Sequence, residues 1–246
     1  MSGRAGGSDA SRRHSASRHR GIPAILSAVL IAIDGPSGAG KGTVARAIAE
    51  ALQCRHVDTG AMYRAVAWRA LDRGVSLDDE AGVASVARDA ALQAEQGRVV
   101  IDGHDVTRAI RTPDMDAAAA RVARLAPVRD ALVARQRGYA ADGDLVMEGR
   151  DIGTVVLPEA DVKIFLDASA EERARRRAGD TAHAASGGDV STIATALTQR
   201  DHSDRSRTVS PLTQASDATY IDTTGLPIDD VVAQVLALVR AAQARP

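Results

Sequence analysis

The sequence predicts an α/β fold: one central parallel sheet flanked by helices. Three observations predict it. "AVLIAID" (residues 28–34) is an unbroken apolar run, the pattern of a parallel strand buried on both faces. It breaks into a glycine loop and then a helix, where Val44, Ala45, Ile48, Ala51 and Leu52 form one apolar stripe. Strand-like runs then alternate with helical ones to the C-terminus.

Each element follows in order. "RHV" before Asp58 is a short second strand. "AMYRAVAWRALDRG" is a helix stopped at Gly74, with Met62 and Tyr63 in the core. Residues 75–127 differ in texture. "SLDDEAGVASVARDAAL" is helical with a Ser start, and "RVVIDGHDV" is a hairpin around a Gly-His turn. "TPDMDAAAARVARLA" and "PVRDALVARQRGYA" are helical, the second with Pro127 in its first turn. The block reads as an insertion outside the sheet. Sheet runs resume with "DLVMEGRD" and "DVKIFLDA". "SAEERARRR" opens a helix with a Ser cap and first-turn acids. "AGDTAHAASGGDV" predicts a mobile loop, and "STIATALTQRDHSDRSR" a helix running into a charged segment. "ATYIDTT" is a last strand and "PIDDVVAQVLALVRAAQA" a last amphipathic helix. The first residues, "MSGRAGGSDASRRHSASRHR", carry almost no apolar side chains and predict a disordered basic tail over residues 1–27.

Composition narrows the function. The chain has 246 residues, 45% hydrophobic and 2% aromatic, so Ala, Val, Leu and Ile must build the core. With 31 basic and 32 acidic residues the net charge is -1, which argues against bulk attraction to nucleic acid or a membrane. Phosphate binding must then be local, made by a few clustered arginines. Cys54 is the one cysteine, so there is no internal disulfide and no cysteine zinc cluster, as in a reducing cytoplasm. No run is long enough to span a bilayer, and the N-terminus is not a convincing signal peptide. His14, His19, His56, His104, His183 and His202 show neither metal-ligand spacing nor a triad.

"GPSGAGKGT" carries the chemistry. Gly35, Gly40 and Lys41 satisfy G-x-x-x-x-G-K, after a buried strand and before a helix: a P-loop in its proper context. Gly35, Pro36, Ser37, Gly38, Ala39, Gly40, Lys41, Gly42 and Thr43 would cradle a nucleoside triphosphate. Small residues let backbone N–H groups converge on phosphate oxygens, the helix N-terminus adds partial positive charge, and Lys41 reaches the β- and γ-phosphates. Position 42 is Gly where the general pattern has Ser or Thr. The hydroxyl comes one residue later, so Thr43 serves a phosphate, or holds Mg²⁺ directly or through water. Glu148 ends the run "LVME", where such loops place an acid for Mg²⁺; Asp167 competes for that role.

Three more stretches accompany the loop: "DTGAMYR", "EGRDIGTVVLPEADVKIFLDASAEERARRR" and "RDHSDRSRTVSPL". With "GPSGAGKGT" they resemble bacterial cytidylate kinases, within the nucleoside monophosphate kinases, over residues 29–238. Strand-end arginines suit a monophosphate, because a planar guanidinium can donate twice. The resemblance implies that Arg64 and Arg150 hold the acceptor phosphate with Thr59 nearby. It implies that Arg129, Asp151 and Arg207 read the base, and that Arg200 and Asp204 bind the sugar. A carboxylate accepts from cytosine's amino group but faces a carbonyl in uracil, which supports Asp151 in that role. One family position departs: a serine often found near the base is Ala120 here. Residues 173–190 resemble the family's lid. Arg173, Arg176 and Arg177 share a helix face, and Arg176 would close over the transferring phosphoryl group.

The expectation is therefore a P-loop NTPase fold over residues 28–246, with an acceptor-binding insertion (75–127) and a small lid (173–190). Lys41, Arg150 and Arg176 are its catalytic residues. It would pass the γ-phosphoryl of MgATP to CMP and dCMP, as a cytoplasmic monomer needing no nucleic acid and no membrane. A kinase for UMP or another small acceptor, a nucleotide-binding switch, and RNA binding by the tail are the alternatives. A switch needs a water-positioning residue and a triphosphate-sensing loop, and neither is found.

Overall fold

A computed structural model describes residues 29–179 and 189–244. The tail expected over residues 1–27 and most of the expected mobile loop lie outside the described residues. Five parallel strands form the main sheet: β1 (Leu30–Asp34), β2 (Arg55–Asp58), β6 (Leu145–Gly149), β7 (Val162–Asp167) and β8 (Thr219–Asp222). Their order is β2-β6-β1-β7-β8. β1 sits in the middle, registered Ile33 to Glu148 on β6 and Ile33 to Ile164 on β7. The chain leaves β1 for one edge and later fills the other side. The carboxyl ends of the strands beside β1 are therefore the switch point where such sheets bind ligands.

Alternation along β1 sends Ile31 and Ile33 to one face and Ala32 to the other. The Ile31 face packs on α1 (Lys41–Leu52) and the last helix, α8 (Ile228–Gln243), through Val44, Ile48, Val231 and Val235. The opposite face carries α2 (Thr59–Asp72), α3 (Glu80–Asp89) and α5 (Ala126–Ala140). Met62 and Tyr63 are buried there, as expected.

Between α2 and α5, α3 leads into a small antiparallel sheet and then α4 (Pro113–Val122). The sheet is β3 (Leu92–Glu95), β4 (Arg98–Ile101) and β5 (His104–Asp105). The expected hairpin is β4–β5. β3 was not expected, since the helical reading ran through Leu92. The helix stops at Asp89 because Ala91 is tied to Asp102 from both sides: Ala91 N–H donates to its carboxylate at 2.9 Å, and Asp102 N–H donates to Ala91 O at 2.9 Å. Leu92 can then pair with Ile101. The helix start also differs. Asp79, not Ser76, accepts from Gly82 N–H at 3.0 Å. This block shares the main core through Val83, Ile101, Ile110 and Val122.

After β6 a π-helical turn, Ile152–Val156, replaces simple loop. Buried Asp34 holds its start, accepting from Ile152 N–H at 2.9 Å and Gly153 N–H at 2.8 Å. α6 (Ala170–Ala178) opens on Ser169, whose hydroxyl accepts from Glu172 N–H at 3.2 Å. α7 (Val190–Arg205) follows. Among the described residues no helix is long and apolar enough to cross a membrane.

Candidate active site

The glycine loop connects β1 to α1 in a conformation that only glycine supports. Gly35 has φ 145, and a Cβ there would lie 1.9 Å from Leu166 O. Gly40 caps α1 in the left-handed region at φ 89. Lys41 begins the helix, buried, its ammonium donating to Pro36 O at 2.7 Å. Burial, with repulsion from Arg150, lowers its pKa to about 7. Phosphate oxygens beside it would favour the charged form again.

Side chains outside the motif hold the loop. Arg173 of α6 donates to Ser37 O at 3.0 Å and to Ala168 O at 3.0 Å, and pairs with Asp201 of α7. Thr223, after β8, donates to Ala39 O at 3.3 Å. Arg176 donates to Thr223 Oγ1 at 2.9 Å and to Glu172 at 2.7 Å. Arg176 and Thr43 therefore line a cavity of about 450 Å³ above the loop, with Gly38, Gly40 and Thr223. The three lid arginines expected on one face reach different partners: Arg173 the loop, Arg176 Thr223, and Arg177 Asp116.

Thr43 lines that cavity but Glu148 does not. Glu148 lies against α1, where a Cβ on Gly42 would meet its Oε1 at 3.0 Å, and the same oxygen is 3.2 Å from His56 Nε2. Glycine at position 42 thus leaves room for the carboxylate. Among the described residues no cluster of three His, Cys, Asp or Glu groups could hold a metal ion. Mg²⁺ needs less, since one or two carboxylates and substrate phosphates suffice. Glu148 beside the loop fits that donor set.

A second, tighter cavity of about 70 Å³ opens beside the β6 end. It gathers Arg64, Arg129, Arg150, Asp151, Arg200, Asp204 and Arg207, seven of the eight residues expected at the acceptor. Thr59 is buried but spends its hydroxyl on Glu148 O at 2.7 Å and does not line the cavity. Charges are matched in pairs. Arg129 donates to Asp151, and Arg150 to Asp204 at 2.9 Å. Arg207 lies 3.3 Å from Asp204, and Arg64 donates to Asp58 at 3.0 Å.

These pairs set the protonation. Burial raises the Asp151 carboxyl against the pull of Arg129 and Arg207. Burial would also raise Asp58, but Arg64 and Arg111 overcome it and hold that carboxyl far below the usual range. Asp204 is likewise lowered: burial opposes, and Arg150 and Arg207 win. Buried Nε–H groups of Arg64, Arg129 and Arg200 have no hydrogen-bond partner among the described residues, so each has a donor to offer a ligand.

Sequence reading missed several participants. Asp58 caps α2 and anchors Arg64 and Arg111, a role legible only as a helix N-cap signal. Tyr63, read as core, also lines the acceptor cavity, with the Arg129 guanidinium 5.7 Å from its ring centre. Asp116 of α4 contacts Arg64 and Arg200. Thr223 and Asp201 gave no signal, since each acts through folding alone.

Comparisons with known proteins identify the family. A sequence model of the cytidylate kinase family matches residues 31–241. A cytidylate kinase of Desulfitobacterium hafniense is 48% identical over 85% of this chain and 91% of its own length. One of Pelotomaculum thermopropionicum is 47% identical over 86% of this chain and 96% of its own. An uncharacterized protein from Eubacterium ventriosum has a similar solved structure, with TM-score 0.51 at 12% identity, covering 88% of this chain and 99% of that one. That likeness speaks to fold alone. The glycine loop, the sheet order and the match over most of the chain lead to one conclusion: this chain belongs to the cytidylate kinase family.

Proposed function

We propose that this chain transfers the γ-phosphoryl group of ATP to the phosphate of CMP, and of dCMP, giving ADP and CDP or dCDP. The observation that carries the reading is the cavity beside the glycine loop, where buried arginines offer N–H groups that have no partner among the described residues and Asp151 lies among them. The loop's backbone and Lys41 take the donor phosphates. Arg64 and Arg150 turn toward the acceptor phosphate, Arg129, Asp151 and Arg207 face the base, and Arg200 and Asp204 face the sugar. Thr59 supports this wall from behind, through Glu148 O.

An acceptor phosphate oxygen attacks Pγ, an O–P bond forms, and the bond from Pγ to the ADP oxygen breaks. The attacking oxygen is already anionic, so no general base is required. Catalysis is positioning and charge neutralisation by Lys41, Arg150 and Arg176. Arg176, held at Thr223 over the loop, reaches the donor side, and α6 closing over the site excludes water. Glu148 would hold Mg²⁺ through water and Thr43 would serve a phosphate oxygen; bound with ATP, the metal neutralises phosphate charge.

Phosphorus NMR of the purified chain with MgATP and CMP tests the reading. Equal amounts of ADP and CDP are expected. ADP accumulating without CDP would mean hydrolysis or a switch, and would remove the transferase reading.

A further inference from the structure

We propose that Asp116 is a positioning residue: a built-in counter-ion that holds Arg64, Arg177 and Arg200 beside the acceptor cavity and yields Arg64 to the acceptor's phosphate and Arg200 to its sugar. The inference rests on the acceptor reading above. By sequence, Asp116 is a first-turn acid of α4, suited to the helix dipole and nothing more. The structure gives it different work. Its Oδ1 lies 3.5 Å from an Arg64 nitrogen and 3.4 Å from an Arg200 nitrogen, and Arg177 donates to its Oδ2. Three guanidinium groups from α2, α6 and α7 thus meet on one carboxylate of α4.

Charge explains why an anion sits there. Burial and the nearby Arg150 both disfavour the charged form of Arg200. The other carboxylates near these arginines have partners of their own: Asp58 with Arg64 and Arg111, Asp151 with Arg129, and Asp204 with Arg150 and Arg207. Among the described residues, Asp116 is the carboxylate in direct contact with Arg200.

Space explains why it must let go. The acceptor cavity holds about 70 Å³, whereas small-ligand sites run to roughly 300 Å³ or more. Next to it, between α4 and α7, lies a mostly apolar groove of about 530 Å³. Ala120 and Arg200 line both spaces, and Asp116 and Arg177 line the groove. The contact between Asp116 and Arg200 stands at their boundary, and parting it joins the two. A phosphate dianion engaging Arg64 meets Asp116 as a like charge, so the carboxylate is displaced and Arg200 is left to the sugar.

The test compares wild type with Asp116→Asn and Asp116→Ser by steady-state kinetics, and by melting in inorganic phosphate against chloride of equal ionic strength. Asn keeps the shape and removes the charge; Ser removes both. The expected result for each is a KM for CMP about fivefold lower, with kcat and the KM for ATP within about twofold. Phosphate should also raise the melting temperature more in the variants than in wild type. A KM for CMP that is unchanged or higher, with no added stabilisation by phosphate, overturns the proposal and leaves Asp116 a structural ion-pair residue. If wild type fails to turn over CMP, the acceptor reading falls, and the phosphate measurement alone decides the counter-ion role.

Discussion

The two anion sites of this molecule are built from different materials. The donor loop is backbone: positive-φ glycines and a helix N-terminus, under an open cavity of about 450 Å³. The acceptor cavity is side chain: guanidinium and carboxylate groups from α2, α5, α7 and the β6 end, paired with one another around about 70 Å³. Backbone N–H groups stay aimed at a ligand position whatever the occupancy. Charged side chains find partners among themselves, so binding there exchanges internal ion pairs for ligand contacts. The first site is preorganised, and the second is assembled against competition.

Breaking the backbone site should have the largest effect. Gly35→Ala sets a Cβ 1.9 Å from Leu166 O at a φ of 145. We expect loss of ATP binding by calorimetry and destabilisation of about 3 kcal/mol or more in urea unfolding. Near-normal ATP affinity would show that the loop's shape is not what the glycine secures. Lys41→Met keeps the buried stem and removes the charge. It should lower kcat on the order of 10³-fold with a folded protein by circular dichroism. A loss confined to the KM for ATP would place Lys41 in uniform binding, outside the chemical step.

The side-chain site should respond more selectively. Asp151→Ala removes the carboxylate set against the cytosine amino group, and should cut the ratio of CMP to UMP efficiencies about tenfold. An unchanged ratio would remove Asp151 from base reading.

The smallest effect lies where the two sites join. Asp34 ends β1 and holds the turn after β6, and burial raises its carboxyl to about 6. A raised carboxyl keeps its proton longer in the folded state. Its contribution to stability is full below the unfolded value near 3.9 and is lost as pH rises through about 6. Asp58 and Asp204, with lowered values, act in the opposite sense and cancel in a comparison of variants. Between pH 4 and 6, urea unfolding of wild type should lose on the order of 1 kcal/mol more than Asp34→Asn. Parallel profiles would contradict the assignment.

The same division decides what the sequence shows. The loop is contiguous and conformationally demanding, so nine adjacent residues spell it out. Apolar runs announce β1, β6 and β7 because parallel strands must be buried on both faces. β3 escapes because "LQAE" follows an alanine-rich helix and draws its strand character from pairing with β4. The π-helical turn escapes because Asp34, over a hundred positions away, determines it. The acceptor arginines were placed by resemblance. Their partners Asp58 and Asp116 read locally as helix-start acids, since no local pattern records which distant arginines a carboxylate will meet.

The most direct measurement is the rate of ADP formation with MgATP across CMP, dCMP, UMP, AMP and GMP. The account predicts the highest kcat/KM with CMP, at least about tenfold above UMP. Equal or higher efficiency with UMP or a purine nucleotide would contradict a cavity arranged around cytosine.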